Sequence, residues 1–285
     1  MALAIPSNQR TLKHEALITG EGYRSKEKCM IRLLPAPENT GIIFIGREGI
    51  ISADYFHLLD SFANTSLSDG CFIVQAVEHL LSALYGMFID NVEIEVYGGI
   101  PMGDGSTSTF YRAINEAGVV GQNAPRKFIE ITKSISVESN GSFVSISPHD
   151  CYHISYMMGN PYPKAVHGKF SVNVVEGVFE EVFDSRTWGE RKHINNLNRN
   201  GVNLNGSNCL ILDDGSFSEE LRYTNEPVRH KVADLIGDLS LLFGMYIKGS
   251  IVAFNAGHKL HHRLMKGIVN DSSFSSNRKL LYSNG

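Results

Sequence analysis

Glu78 and His79 stand side by side in an apolar, helix-patterned segment, Cys71–Met87 (CFIVQAVEHLLSALYGM), and His230 and Asp234 stand four apart in another, Asn225–Gly244 (NEPVRHKVADLIGDLSLLFG). Side chains four apart on a helix project from one face, so His230 and Asp234 can grip one ion. With His79 they make a nitrogen and oxygen set that suits zinc, and three ligands leave a position open to water. A Glu beside such a ligand is the usual base for that water, which gives Glu78 its expected role. The alternative for His230 and Asp234 is a buried His–Asp hydrogen bond with no ion. A third segment, Asn255–Leu264 (NAGHKLHHRL), puts His258 after Gly257 at a strand-to-helix turn, where side chains face a cleft.

The elements that position these residues echo one another. Leu84–Val96 reads LYGMFIDNVEIEV and Leu242–Phe254 reads LFGMYIKGSIVAF, sharing Leu, Gly-Met and Ile at equal spacing. Each copy closes a ligand-bearing helix, passes a glycine suited to a helix C-cap and enters an alternating strand. In Asn91–Tyr97, Val92, Ile94 and Val96 share one face and Glu93, Glu95 and Tyr97 the other, so half of that sheet should face water. The reading is two α+β halves, 1–124 and 125–270, followed by a polar, serine-rich tail over 271–285. Pro227 suits the first turn of the second ligand-bearing helix.

Composition fits a cytoplasmic enzyme with a small-molecule substrate. The 285 residues carry a formal net charge of −4 and 42% hydrophobic residues, with no polybasic run to attract nucleic acid or an anionic membrane. No run approaches the roughly 20 apolar residues that span a bilayer, and the opening MALAIPSNQR lacks the features of a signal peptide. Cys29, Cys71, Cys151 and Cys209 are too scattered for a zinc knot or a disulfide framework. His14, His57, His149, His153, His167, His193, His261 and His262 are read as surface or packing residues.

Many short motifs, in order, resemble the zinc-dependent UDP-3-O-acyl-N-acetylglucosamine deacetylases of lipid A synthesis. They are Gln9-Arg10-Thr11-Leu12, Leu34–Gly41 (LPAPENTG), Val77-Glu78-His79-Leu80, Ile89-Asp90-Asn91, Pro101 with Asp104-Gly105-Ser106, Ser185-Arg186-Thr187, Pro227–Lys231 with Asp234 and Gly237-Asp238, and Gly257-His258. The resemblance implies an α+β fold of two β-α-α-β halves that pack their helices between two sheets, with the metal between the halves. It implies one Zn2+ on His79, His230 and Asp234, a ligand type that also accepts Fe2+ or Co2+. It makes His258 an imidazolium that stabilises the oxyanion and protonates the leaving amine, with Asp238 orienting and charging it. It also implies that the Thr187 hydroxyl donates to the tetrahedral intermediate and that Lys231 meets the polar head of the substrate. Asp104 is assigned a supporting place behind the site or a turn-forming one.

The departures from that family lie in its substrate sites. Where the family has an apolar passage for a fatty acyl chain, this chain has Trp188–Asn208 (WGERKHINNLNRNGVNLNGSN), crowded with Glu190, Arg191, Lys192, Asn195, Asn196, Asn203, Asn205 and Asn208. Unpaired buried polar groups cost about 1–3 kcal/mol each. The family's Asp-Phe-x-His-Pro motif appears as Gly159-Asn160-Pro161-Tyr162-Pro163, and its Gly-x-Gly-Leu-His motif as Gly20-Glu21-Gly22-Tyr23-Arg24. The sequence therefore predicts a zinc-dependent N-deacetylase of a polar amino sugar, sugar nucleotide or nucleoside without a long acyl chain, bound by Lys231, Thr187, Trp188, Arg191 and Asn160. The alternative is the UDP-3-O-acyl-N-acetylglucosamine deacetylase of lipid A synthesis. An idle metal-binding protein is disfavoured by the intact Glu78 and His258.

Overall fold

A computed structural model describes residues 5–24, 28–61 and 63–271. Of the polar tail expected over 271–285, all beyond Asp271 lies outside the described residues.

A five-stranded sheet and a six-stranded sheet carry the fold. The first contains Ala16–Glu21 (β1), Lys28–Pro35 (β2), Ile42–Ile45 (β3), Ile50–Ser52 (β4) and Val92–Tyr97 (β5), with Glu78–Gly86 (α1) before the last strand and Ser108–Ala117 (α2) after it. The second contains Ile135–Ser139 (β6), Ser142–Ser147 (β7), Tyr152–Met158 (β8) and Gly168–Asn173 (β9). It is completed, after Arg191–Arg199 (α3) and Glu226–Leu239 (α4), by Tyr246–Phe254 (β10), and His258–Val269 (α5) follows. The strand orders are β1-β2-β5-β3-β4 and β6-β7-β10-β8-β9, and Phe128–Glu130 pairs parallel with the start of β10 as the sixth strand of the second sheet. In each, the late strand runs antiparallel to its second strand and parallel to its third. The echo between Leu84–Val96 and Leu242–Phe254 is thus one repeated unit, a helix feeding the central strand of its own sheet.

Alternation explains which face of each sheet is buried. Cys29, Ile31 and Leu33 of β2, Val92 and Ile94 of β5, and Tyr152, Ile154, Tyr156 and Met158 of β8 point inward, while their neighbours remain partly exposed. The helices fill the space between the sheets. All nine residues of α1 are buried, as are twelve in α4, including the polar Glu78, His79, His230, Asp234 and Asp238. Arg126 fastens the chain between the two sheets. Its Nε and Nη2 donate to Asp90 at 2.9 and 2.7 Å, and its guanidinium lies 4.7 Å from the Tyr246 ring.

Two expected boundaries move. The segment Cys71–Met87 is not one helix, because Ile73–Gln75 pairs as a strand and Ala76 takes φ 56 before α1 begins. Apolar residues there alternate, exposed Ile73 beside buried Val74, which is the strand period. The helix from Asn225 ends at Leu239 rather than near Gly244. Phe88 takes the left-handed conformation after α1, and Phe243 and Gly244 take it after α4. Gly86 lies within α1 instead, where a β-carbon would meet the Phe179 ring at 2.2 Å. Among the described residues no helix is long and apolar enough to cross a membrane.

Candidate active site

α1 and α4 cross closely enough to bring His79, His230 and Asp234 together. Asp234 Oδ1 lies 3.4 Å from His79 Nε2 and 3.2 Å from His230 Nε2, and the two imidazole rings are 5.0 Å apart between centroids. The His230 Nδ1–H donates to the Ser185 carbonyl at 3.0 Å, which fixes the tautomer and turns the Nε2 lone pair toward Asp234. Lys231 Nζ donates to the other oxygen, Oδ2, at 2.7 Å. Oδ1 is fully buried and, among the described residues, meets no donor at hydrogen-bonding geometry. An orphaned carboxylate oxygen facing two ring nitrogens is costly unless a cation joins them. The donor set, two imidazoles and a carboxylate whose acidity is strengthened by His230 and Lys231 against the opposing effect of burial, fits a divalent ion.

Beside this trio, one threonine ties the expected base to the expected acid. The Thr65 N–H donates to Glu78 Oε2 at 3.0 Å, and its hydroxyl donates to Asp238 Oδ1 at 2.5 Å. Asp238 Oδ2 accepts from His258 Nδ1 at 2.8 Å and from His261 Nδ1 at 2.6 Å. His262 Nε2 lies 3.1 Å from the Thr65 hydroxyl oxygen. The far nitrogen of His258, Nε2, is 4.0 Å from Asp234 Oδ2, so the ring spans from Asp238 to the trio.

Electrostatics separates the two proton-transfer candidates. Burial pushes the Glu78 carboxyl above its usual range, outweighing the opposing pull of His258 and His79. Burial works against a charged His258, but the charge and hydrogen bond of Asp238 prevail and raise the ring to about 9. Near neutrality this leaves His258 an imidazolium able to give a proton, beside a Glu78 carboxyl whose affinity for one is raised.

A cavity of about 390 Å³ opens onto these groups, lined among others by Glu78, His79, Asp234, His258, Lys231, Thr187 and Trp188. One wall comes from α3 and the loop after it, and the sequence reading of that stretch needs correction. Helical periodicity turns Arg191, Lys192 and Asn195 outward while Ile194 and Leu197 face in, joined by Leu204 and Met102, with Glu190, His193 and Asn196 at the cavity beside them. The buried asparagines are not unpaired. Asn203 Nδ2 donates to Glu21 at 3.0 Å, and Asn208 receives the Asn205 N–H at 2.9 Å while donating to the Asn203 carbonyl at 2.8 Å. These bonds knit the loop together, and Ile194, Leu197, Leu204 and Met102 form an apolar stretch of the wall.

Two expected substrate contacts lie elsewhere. Arg191 is exposed and ion-paired with Asp213, outside the cavity lining. Asn160 is also exposed, its carbonyl accepting from Asn255 Nδ2 at 2.8 Å. The next aromatic, Tyr162, reaches the cavity in its place and meets the Trp188 ring edge-on at 5.8 Å. Asp104 holds a turn, accepting from the Ser106 N–H and hydroxyl at 3.0 and 2.6 Å and from Arg222 at 2.6 Å. In that turn the Gly105 carbonyl accepts the Thr187 N–H at 2.7 Å, so Asp104 supports Thr187 from behind.

Thr65, His261 and His262 escaped the sequence reading. A signal existed for the histidines, since His258, His261 and His262 fall at i, i+3 and i+4 of one helix and so share a face. Nothing local marks Thr65, which is placed by tertiary structure alone.

The family model for UDP-3-O-acyl N-acetylglycosamine deacetylase matches residues 9–270. Curated relatives named UDP-3-O-acyl-N-acetylglucosamine deacetylase match over most of both chains. One from Acidithiobacillus ferrooxidans is 39% identical over 273 residues, covering 92% of this chain and 90% of its own. Another from Legionella pneumophila is 38% identical over 276 residues, with 92% and 90% covered. A third from Nautilia profundicola is 35% identical over 275 residues, with 93% of each chain covered.

Proposed function

The chain belongs to the UDP-3-O-acyl N-acetylglycosamine deacetylase family of metal-dependent amide hydrolases, and on that premise we propose that it removes the N-acetyl group from a UDP-3-O-acyl-N-acetylglucosamine. The expectation of a polar substrate without a long chain gives way here to its alternative. It rested on the altered Gly159–Pro163 and Gly20–Arg24 motifs and above all on polar residues in Trp188–Asn208. Of these, Arg191, Lys192 and Asn195 turn outward, Asn203 and Asn208 are hydrogen-bonded, and Glu190 and Asn196 border the cavity beside its apolar residues. The observation that carries the proposal is the apolar cavity wall of Ile194, Leu197, Leu204 and Met102 beside the His79, His230 and Asp234 trio. Each methylene entering such a wall contributes about 0.8 kcal/mol. Turnover of UDP-N-acetylglucosamine with and without a 3-O-acyl chain tests this, and equal kcat/KM for the two would overturn it.

In this reading His79, His230 and Asp234 hold one zinc ion, which supplies Lewis acidity toward the amide carbonyl. Glu78, held by the Thr65 N–H, takes the proton of the attacking water. His258, charged by Asp238, faces the developing oxyanion and passes its Nε2 proton to the leaving nitrogen, so the amine departs neutral. Thr187, fixed by the Gly105 carbonyl, offers its hydroxyl to the oxyanion. Lys231 lies where its ammonium borders both Asp234 and the cavity, within reach of a substrate's polar head.

A further inference from the structure

We infer that His261 is a positioning residue for the reaction, acting on His258 through Asp238; the inference rests on the proton donation proposed for His258. His261 is wholly buried and does not line the cavity. Its Nδ1 reaches the same carboxylate oxygen, Asp238 Oδ2, that His258 uses, at 2.6 Å against 2.8 Å. Asp238 is a carboxylate here, its acidity strengthened by these two rings in spite of burial, so both ring nitrogens donate. A carboxylate oxygen has two in-plane lone pairs, and the two histidines fill them. The Thr65 hydroxyl occupies Oδ1 and is met on its far side by His262 Nε2. Three donors from three directions leave the carboxylate no freedom to rotate, and its direction sets that of the His258 ring.

Packing alone does not account for a histidine at this place. His261 Nε2 is buried with no hydrogen-bond partner among the described residues, a cost that a leucine would avoid. What offsets that cost is the bond from Nδ1 to Asp238. The neutral ring with its proton on Nδ1 is the form that makes this bond while leaving Nε2 bare.

The test compares His261→Leu, His261→Asn and His261→Gln on a UDP-3-O-acyl-N-acetylglucosamine, with melting temperature and bound metal measured on each. Asn can place its amide N–H where Nδ1 stood, whereas Gln extends it toward the Nε2 side. We expect His261→Leu and His261→Gln to lower kcat about tenfold with KM and metal content unchanged, and His261→Asn to recover most of the loss. In an Asp238→Asn background His261→Leu should have no further effect. A metal-loaded His261→Leu with normal kcat, or the same loss in the Asp238→Asn background, would overturn the inference. If His261→Leu does not fold, equal behaviour of the Asn and Gln variants overturns it instead. Normal kcat in Asp238→Asn alone would remove the reading of His258 on which this stands, a result separable from failure at His261.

Discussion

A β-carbon on Gly237 would lie 2.0 Å from the carbonyl oxygen of Glu78, so α4 meets α1 backbone to backbone at the residue proposed as the base. No side chain fits between them. This contact sets the helix spacing on which the separation of His79 from His230 and Asp234 depends.

Gly237→Ala therefore forces the two helices apart. Overpacking of this kind costs about 1–3 kcal/mol. The expected outcome is a lower melting temperature together with weakened metal retention on dialysis. A variant with wild-type melting temperature and metal content would show that the crossing relaxes without disturbing the trio.

The proposed ligands and the proposed base should separate cleanly. His230→Ala removes a donor nitrogen and should yield protein without its stoichiometric ion. Glu78→Gln should keep the ion, since its carboxylate is not in the trio, and lose turnover by about 100-fold or more. Elemental analysis alongside kcat checks both, and near-normal turnover in Glu78→Gln would assign the base elsewhere.

The pH dependence follows from the sign of the His258 shift. His258 donates only when charged, so activity is present below its pKa and falls as pH rises through it. Asp238 raises that value to about 9, and a cation on the trio repels the imidazolium, so the alkaline limb of kcat/KM should lie at or somewhat below 9. Asp238→Asn removes the raising charge and should move the limb to lower pH. An unmoved limb in both Asp238→Asn and His258→Gln would take His258 out of proton transfer.

The apolar wall can be tested apart from the chemistry. Leu197→Asp places a charge where the acyl chain is proposed to lie, and should lower kcat/KM for the 3-O-acylated substrate by about tenfold or more while sparing the unacylated one. Parallel losses on both substrates would mean that Leu197 serves the fold rather than the chain.

Much of the site was legible because its chemistry is written in local spacing. His230 and Asp234 fall four apart, Glu78 adjoins His79, and Asp238 follows Asp234 by one turn. The sheets were legible through alternation in segments such as Asn91–Tyr97. What misled was composition read without periodicity. Eight polar residues in Trp188–Asn208 suggested a wet site, yet helical geometry sorts Arg191, Lys192 and Asn195 to the outside, loop hydrogen bonds absorb Asn203, Asn205 and Asn208, and only Glu190 and Asn196 remain at the cavity. Thr65 was illegible for the opposite reason, since its bonds to Glu78 and Asp238 reach residues 13 and 173 positions away.

The division of the trio between α1 and α4 also bears on how the molecule matures. Contacts within each sheet can form as its own strands emerge, but His79 finds no fellow ligand until α4 has been made and has docked. Closing so long a stretch of chain carries an entropic cost that the local contacts do not repay until both sheets are built. Holding an ion with all three side chains therefore requires that docking, and ion content followed during refolding is expected to report it rather than secondary structure.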